Sequence, residues 1–267
     1  MRTVRFILFI LLGFPSLLTA QSWPDNPNKV RALFGQPTDG NFERGMEFEA
    51  EGQRVTAWAD GEIIWNGASL LNSDSPGGQF VVIEHEKGFR TSYQNLDSRP
   101  DITQHVSRGD WLGYSGSGTW RFQIMDIMQS KIIDPLLLLP NRAMDISDNL
   151  KVYLNHGGGM EEVKDGLFIR PGTISLMLEG TAPREISLYW LGRQINSLRL
   201  ETLTEKNGGI AAETPAPAAF EDIHDSENRL ILRNISLSSG MGLLELRILN
   251  KQNKKYSLSW KVTVQDT

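Results

Sequence analysis

From about Phe42 onward, the chain is written in short apolar runs separated by turn residues. Val55-Thr56-Ala57-Trp58-Ala59 leads into Asp60-Gly61, a hairpin signal, and then into Glu62-Ile63-Ile64-Trp65. Residues 79–84 alternate, with Val81 and Ile83 on one face and Phe80 and Val82 on the other. Glu86-Lys87-Gly88 marks the next turn, and residues 89–93, 106–112 and 120–125 supply further strands. No segment carries a convincing helical period. The pattern predicts an antiparallel β domain over residues 42–143, closed by the leucine run Leu136-Leu137-Leu138-Leu139 as a packed lid.

A second β pattern starts near Leu150, at residues 151–154, 166–169, 173–178 and 185–190, and resumes at 229–232, 242–249 and 256–264. About seven short strands with turns between them predict an immunoglobulin-like β-sandwich over residues 144–267. Residues 205–219, rich in Gly, Ala and Pro, read as a long mobile loop. The basic turn Asn250-Lys251-Gln252-Asn253-Lys254-Lys255 reads as a solvated hairpin tip. Residues 21–41, with their Pro, Asn, Asp and Gly, read as an extended leader with little regular structure. The expected fold class is therefore all-β, in two domains.

Composition and the first residues change the setting. Met1-Arg2-Thr3-Val4-Arg5, an apolar run over residues 6–18 and Thr19-Ala20-Gln21 have the form of a secretory signal peptide over residues 1–20. The run is short of the roughly 20 apolar residues that span a bilayer, so no stable membrane span is expected after cleavage. An exported protein, periplasmic or extracellular, is the expectation. The chain has no cysteine, which excludes disulfides, thiolate metal sites and a lipid-modified cysteine. Its formal net charge is −5, and more negative without Arg2 and Arg5, which argues against nucleic acid as a partner.

The first domain resembles the lysostaphin-type (LytM-like) zinc endopeptidases of the bacterial cell wall. Phe42-Glu43-Arg44-Gly45-Met46-Glu47 stands where that family has Phe-His-x-Gly-x-Asp, and Val55 to Ile63 follows its Ala-x-x-Asp-Gly hairpin. Tyr93-Gln94-Asn95-Leu96 stands for Tyr-x-His-Leu, and Val106-Ser107-Arg108-Gly109-Asp110-Trp111-Leu112-Gly113 for its glycine turn. Thr119-Trp120-Arg121-Phe122-Gln123 stands for His-x-His-Phe-Glu, and Asp134-Pro135-Leu136 for a common ending. The order and spacing of these motifs carry the resemblance, which covers about a hundred residues.

The departures fall on the chemistry. By resemblance, the three zinc-ligand positions are Glu43, Glu47 and Arg121, and the two assisting histidines are Asn95 and Thr119. Glutamate binds zinc, but a guanidinium has no lone pair to offer. The four histidines are His85, His105, His156 and His224, so none lies in the final motif. His85 and His105 read as surface or turn residues. Thr119, Arg121 and Gln123 share one strand face, which suggests that Arg121 pairs with Glu43 and Glu47 in place of the metal. The candidate groove surface is Glu43, Glu47, Tyr93, Asn95, Thr119, Arg121 and Gln123, with Trp58, Trp65, Trp111 and Trp120 as aromatic candidates most of which belong to the core.

The resemblance implies a pseudo-enzyme without zinc, a scaffold or regulator bound to peptidoglycan or to a cell-wall hydrolase. One alternative is an active endopeptidase whose carboxylates Glu43, Glu47, Glu84 and Asp126 assemble a divergent site. Another is a purely structural envelope module.

Overall fold

The computed structural model describes residues 21–68, 78–97, 103–142, 144, 149–156, 159–180, 183–206, 208–214 and 217–265. The expected signal peptide lies outside the described residues. The first half contributes β1 (Val30–Ala32), β2 (Pro37–Thr38), β3 (Asn41–Phe42), β4 (Met46–Glu51), β5 (Arg54–Thr56) and β6 (Gly61–Ala68). It continues with β7 (Gln79–Glu84), β8 (Phe89–Asp97), β9 (His105–Val106), β10 (Trp111–Ser115), β11 (Ser117–Asp126) and β12 (Lys131–Ile133). The second half contributes β13 (Lys151–His156), β14 (Gly159–Glu162), β15 (Leu167–Ile169), β16 (Thr173–Glu179), β17 (Pro183–Trp190) and β18 (Arg193–Arg199). Then come β19 (Thr202–Lys206), β20 (Gly209–Ala212), β21 (Ala218–Ala219), the one-turn helix α1 (Phe220–Ile223), β22 (Leu230–Ser236), β23 (Gly240–Asn250) and β24 (Lys255–Val264).

The protein is all-β and almost entirely antiparallel. The large sheet runs β21-β20-β19-β12-β11-β8-β7-β6-β9, and β4 lies on the other side of the first part of β11, between it and β1. Its alternation follows the sequence: Val81, Tyr93, Phe122, Trp120 and Ile124 turn inward to a core with Met46, Phe48 and Trp58. Phe48 and Trp120 stack there at 4.6 Å between ring centroids. The second unit is a sandwich of β14-β13-β16-β22 against β15-β24-β23-β17-β18, and among its described residues only β15–β24 pair in parallel. Leu154, Leu176 and Leu232 from one sheet meet Ile186, Leu244, Leu246 and Ile248 from the other. Inward residues alternate with outward ones along each strand, as two packed antiparallel sheets require.

Three readings of the sequence are corrected here. Residues 21–41 are not a loose leader. Trp23, Leu33 and Phe34 are buried, Trp23 Nε1 donates to Pro140 O at 2.7 Å, and β1 pairs with β4. Residues 205–219 are not one long loop, because β19, β20 and β21 form a meander that pairs through Leu203↔Ile132 with the edge of β12. The peptidase-like sheet is thus extended by strands from the far side of the linker. The basic turn at residues 250–255 is not merely solvated. Lys251 is 2 % exposed and reaches Asp134, 0 % exposed, with Nζ to Oδ2 at 2.7 Å.

That lysine also donates to Leu200 O and lies 5.0 Å over the Phe34 ring. Asp134 holds its other oxygen toward Leu136 N at 3.0 Å, capping the short turn of helix at residues 135–137. Burial pushes the Lys251 ammonium below its usual range, and the Asp134 carboxylate opposes that shift. Phe34, Phe42 and Ile132 belong to the same apolar cluster as the sandwich strands. Sequence distance hid this junction: the pieces that meet are apolar residues of the leader and a lysine in a charge run.

Candidate functional site

Strand β11 sets the site. Trp120, Phe122 and Ile124 fill the core, which leaves Thr119, Arg121 and Gln123 on the opposite face. Cross-strand pairing continues that face in two rows. Arg121 stands opposite Glu47 in β4 and Gln94 in β8, and Gln94 stands opposite Phe80 in β7. The next row runs from Gln123 to Ser92, Val82 and Trp65.

Glu43 reaches the same place from the turn between β3 and β4. Gly45 makes that approach possible, because a Cβ there would collide with the Phe122 carbonyl oxygen. Arg121 donates through Nε and Nη2 to Glu47 Oε2 at 3.2 and 3.1 Å, and its Nε lies 3.6 Å from Glu43 Oε2. Glu43 Oε1 accepts from Gly45 N at 3.2 Å. The Glu43 side chain is 4 % exposed, whereas Arg121 is 44 % exposed. Burial therefore dominates at Glu43 and raises its carboxyl above the ordinary range; Arg121 and the Gly45 amide oppose the shift, and Glu47 adds to it. The half-exposed guanidinium does not fully offset the cost of burying that charge.

These residues do not fit a zinc ion. Two carboxylates are turned toward a guanidinium that stands where the resemblance would put the third ligand, and that group has no lone pair. Among the described residues, no three His, Cys, Asp or Glu side chains are grouped to hold a metal. The carboxylates of the divergent-site alternative are not brought together either. Glu84 pairs with Arg90 at 2.7 Å, and Asp126 accepts from Gln129 N at 2.9 Å in the turn after β11. Asp126 lies five residues beyond Arg121, about 17 Å along an extended strand.

Asn95 serves the backbone. It has φ 64 and occupies the extra position where the β7–β8 register slips, a left-handed bulge site that Asn tolerates better than most residues. Its Nδ2 donates to Ser117 O at 3.0 Å and Thr119 O at 2.5 Å, tying the end of β8 to the start of β11. Its own carbonyl accepts from Gly116 N at 2.9 Å. Thr119 is half-buried beside this staple.

Tyr93 leaves the candidate groove. It is fully buried on the inner face against Phe122, and its hydroxyl accepts from Trp58 N at 2.8 Å. Burial pushes its pKa up to about 12. Trp58 and Trp120 are likewise core, while Trp65 is exposed. His85 is buried rather than superficial. Its Nδ1 donates to Asp60 O at 2.7 Å, so the neutral ring accepts at Nε2 from the Thr91 hydroxyl at 2.7 Å. Burial lowers its pKa. Phe80 and Gln94 were not singled out from the sequence. The same two-residue alternation that groups Thr119, Arg121 and Gln123 also assigns them to the groove face.

Against known proteins, this geometry finds a family for part of the chain. Residues 41–125 match the model of Peptidase family M23. A second family model, without a functional description, spans residues 148–265. No curated relative matches the chain. Among solved structures, cbpa from L. salivarius REN is 19 % identical, with 45 % of this chain and 94 % of that chain covered, at a TM-score of 0.33. A point mutant of the catalytic domain of the prophage-encoded M23 protein EnpA from Enterococcus faecalis is 18 % identical, covering 40 % and 88 %, at 0.34. The SpoIIQ-SpoIIIAH pore forming complex contains a chain 19 % identical, covering 45 % and 90 %, at 0.32. At these scores the likenesses carry no argument about activity. The M23 match and the motifs around Arg121 cover the same stretch of chain.

Proposed function

We propose that this protein is a non-catalytic module of the bacterial cell envelope, exported, whose M23-type groove binds without zinc. Its ligand would be peptidoglycan, or a cell-wall hydrolase that it positions or regulates. The sandwich, read as immunoglobulin-like, would hold and orient the groove. One observation carries this reading: Arg121 bridges Glu47 and Glu43 where a hydrolytic member of the family would keep a metal. A fixed cation in that place retains the fold of the site while removing the Lewis acid and its activated water. Asn95 supports the same reading, because a carboxamide committed to two carbonyls has no proton to shuttle.

The groove face keeps features suited to binding. Arg121 offers a half-exposed guanidinium, Gln94 and Gln123 offer amides, and Phe80 and Trp65 offer apolar surface along the same rows. Purified protein should carry no stoichiometric zinc, release no muropeptides from cell walls and sediment with those walls. Arg121→Ala combined with Gln94→Ala should weaken sedimentation several-fold. Zinc at one equivalent together with muropeptide release would overturn the reading. Absence of both wall binding and a hydrolase partner would favour a purely structural module.

A further inference from the structure

The two ends of the sandwich differ in a way that the groove does not explain. At one end, the β23–β24 turn is docked through Lys251 onto the first domain. At the other lie all the large apolar side chains that the described sandwich strands and turns expose: Met160, Phe168, Leu191, Met241 and Leu243. Phe168 is 66 % and Met241 77 % exposed. They sit on facing positions, since Phe168 pairs with Thr263 and Thr263 with Met241, on the outer face of the five-stranded sheet. Leu243 follows on that face, opposite Lys261.

Leu191 comes from a different element. It is the first residue of the two-residue β17–β18 turn, at φ 50, followed by Gly192 at φ 77. Asn, Asp or Gly is the ordinary occupant of such a position, and a branched apolar residue is disfavoured there. Its backbone N donates to Leu243 O at 3.2 Å, so the turn projects beside the patch. Exposed basic side chains frame this end: Arg170 just after β15, Arg193 at the start of β18, and Lys261. None of the three forms an ion pair among the described residues.

We infer that this apex is a docking surface for a phospholipid bilayer with anionic headgroups. Clustered apolar side chains at a protein's tip, flanked by three cations with the acids Asp165 and Glu161 no nearer the tip than Lys261 and Met160, match an interface that offers hydrocarbon below and negative charge at the rim. A second copy of the chain fits less well. A twofold contact through this apex would gather the Arg170, Arg193 and Lys261 cations of both copies into one interface, and the patch wraps around an end rather than forming one flat, self-complementary face. Strand β23 runs eleven residues from the apex to the docked turn, about 35 Å at an extended rise. A bound protein would therefore hold the junction with its first domain about that far from the lipid surface.

The test uses the chain from Gln21, which contains every packed element described above and omits the apolar run at residues 6–18. Sedimentation with vesicles of phosphatidylcholine alone and with added phosphatidylglycerol should show binding to the second only, weakening with salt. Phe168→Ser, Met241→Ser and Leu243→Ser combined should lower partitioning at least tenfold, with an unchanged circular dichroism melt. Arg170→Gln with Lys261→Gln should lower it and flatten its salt dependence. Arg121→Ala should leave it unchanged, which separates this proposal from the reading of the groove. No binding to either vesicle, or equal binding by the triple-serine variant, would overturn it. So would a dimer in sedimentation velocity that the triple-serine variant dissolves, which would assign the apex to self-association.

Discussion

Two ionic clusters hold this protein, and they work under opposite conditions. In the groove, Arg121 is half open to solvent and meets two carboxylates on adjoining elements. At the junction, Lys251 and Asp134 are closed off from water and lie 117 residues apart in the chain. The comparison shows that similar pairs of charges have different consequences according to what surrounds them. A half-exposed cation is stabilised by water and contributes little to folding, whereas a buried pair depends on each partner for nearly all its solvation.

The largest expected effect follows at the junction. Lys251→Ala leaves the Asp134 charge buried without a partner and should cost about 3–5 kcal/mol in urea unfolding at neutral pH. Replacing both, as Lys251→Met with Asp134→Leu, should cost much less, because neither variant side chain needs a counter-charge. A loss below about 1 kcal/mol for Lys251→Ala would erase the distinction between the two clusters.

A smaller effect comes from His224, buried in the seam between the leader and the sandwich. Its ring stacks on Phe220 at 4.3 Å and meets the edge of Phe42 at 5.6 Å. Burial lowers its pKa from 6.5 to about 4. The unfolded chain therefore binds a proton that the folded protein refuses, so stability is full above pH 6.5 and falls as pH drops toward 4. The loss attributable to this ring should reach ~2–3 kcal/mol, and His224→Gln should flatten that part of the profile. His85 adds to the same slope with the same sign, since its pKa is lowered too. Urea midpoints between neutral and acidic pH measure both.

The smallest effects belong to the groove. Arg121→Ala should cost less than the junction variant, about 1–2 kcal/mol at neutral pH, because the buried Glu43 keeps the Gly45 amide and readily takes up a proton when its cation is removed. Glu43 sharpens the point. Its carboxyl is raised above its ordinary value of 4.5, so the folded state holds that proton more tightly than the unfolded state. Stability from this group is present at low pH and declines as pH rises from there through the folded pKa. Glu43→Gln should remove that decline while keeping the hydrogen-bonding shape. A strong loss of stability for either groove variant would mean that the groove is as tightly coupled as the junction.

The sequence made the groove legible and the junction opaque, for physical reasons. Arg121, Glu43 and Glu47 could be brought together because strand alternation and a chain of family motifs fix their positions locally. Lys251 offered no local clue: a lysine within Asn250-Lys251-Gln252-Asn253-Lys254-Lys255 looks solvated until its partner arrives from another domain. Tyr93 was misplaced because membership in a motif says nothing about which strand face a side chain takes. The alternation of Val81, Tyr93 and Phe122 settles that, and all three point inward. The strands in residues 202–219 were missed because Ala, Gly and Pro carry weak strand signals, and their pairing with β12 is a long-range event.

The shared sheet edge also imposes an order in time. A chain made from its N-terminus can complete β12, Asp134 and Phe34 long before β19 and Lys251 exist to cover them. Until those late segments emerge, the early half presents an open strand edge, a buried-type carboxylate and an uncovered phenylalanine. The early half has a core of its own, so what waits for these late segments is the cover over β12, Asp134 and Phe34. The final strands thus seal an edge that the early half cannot seal by itself.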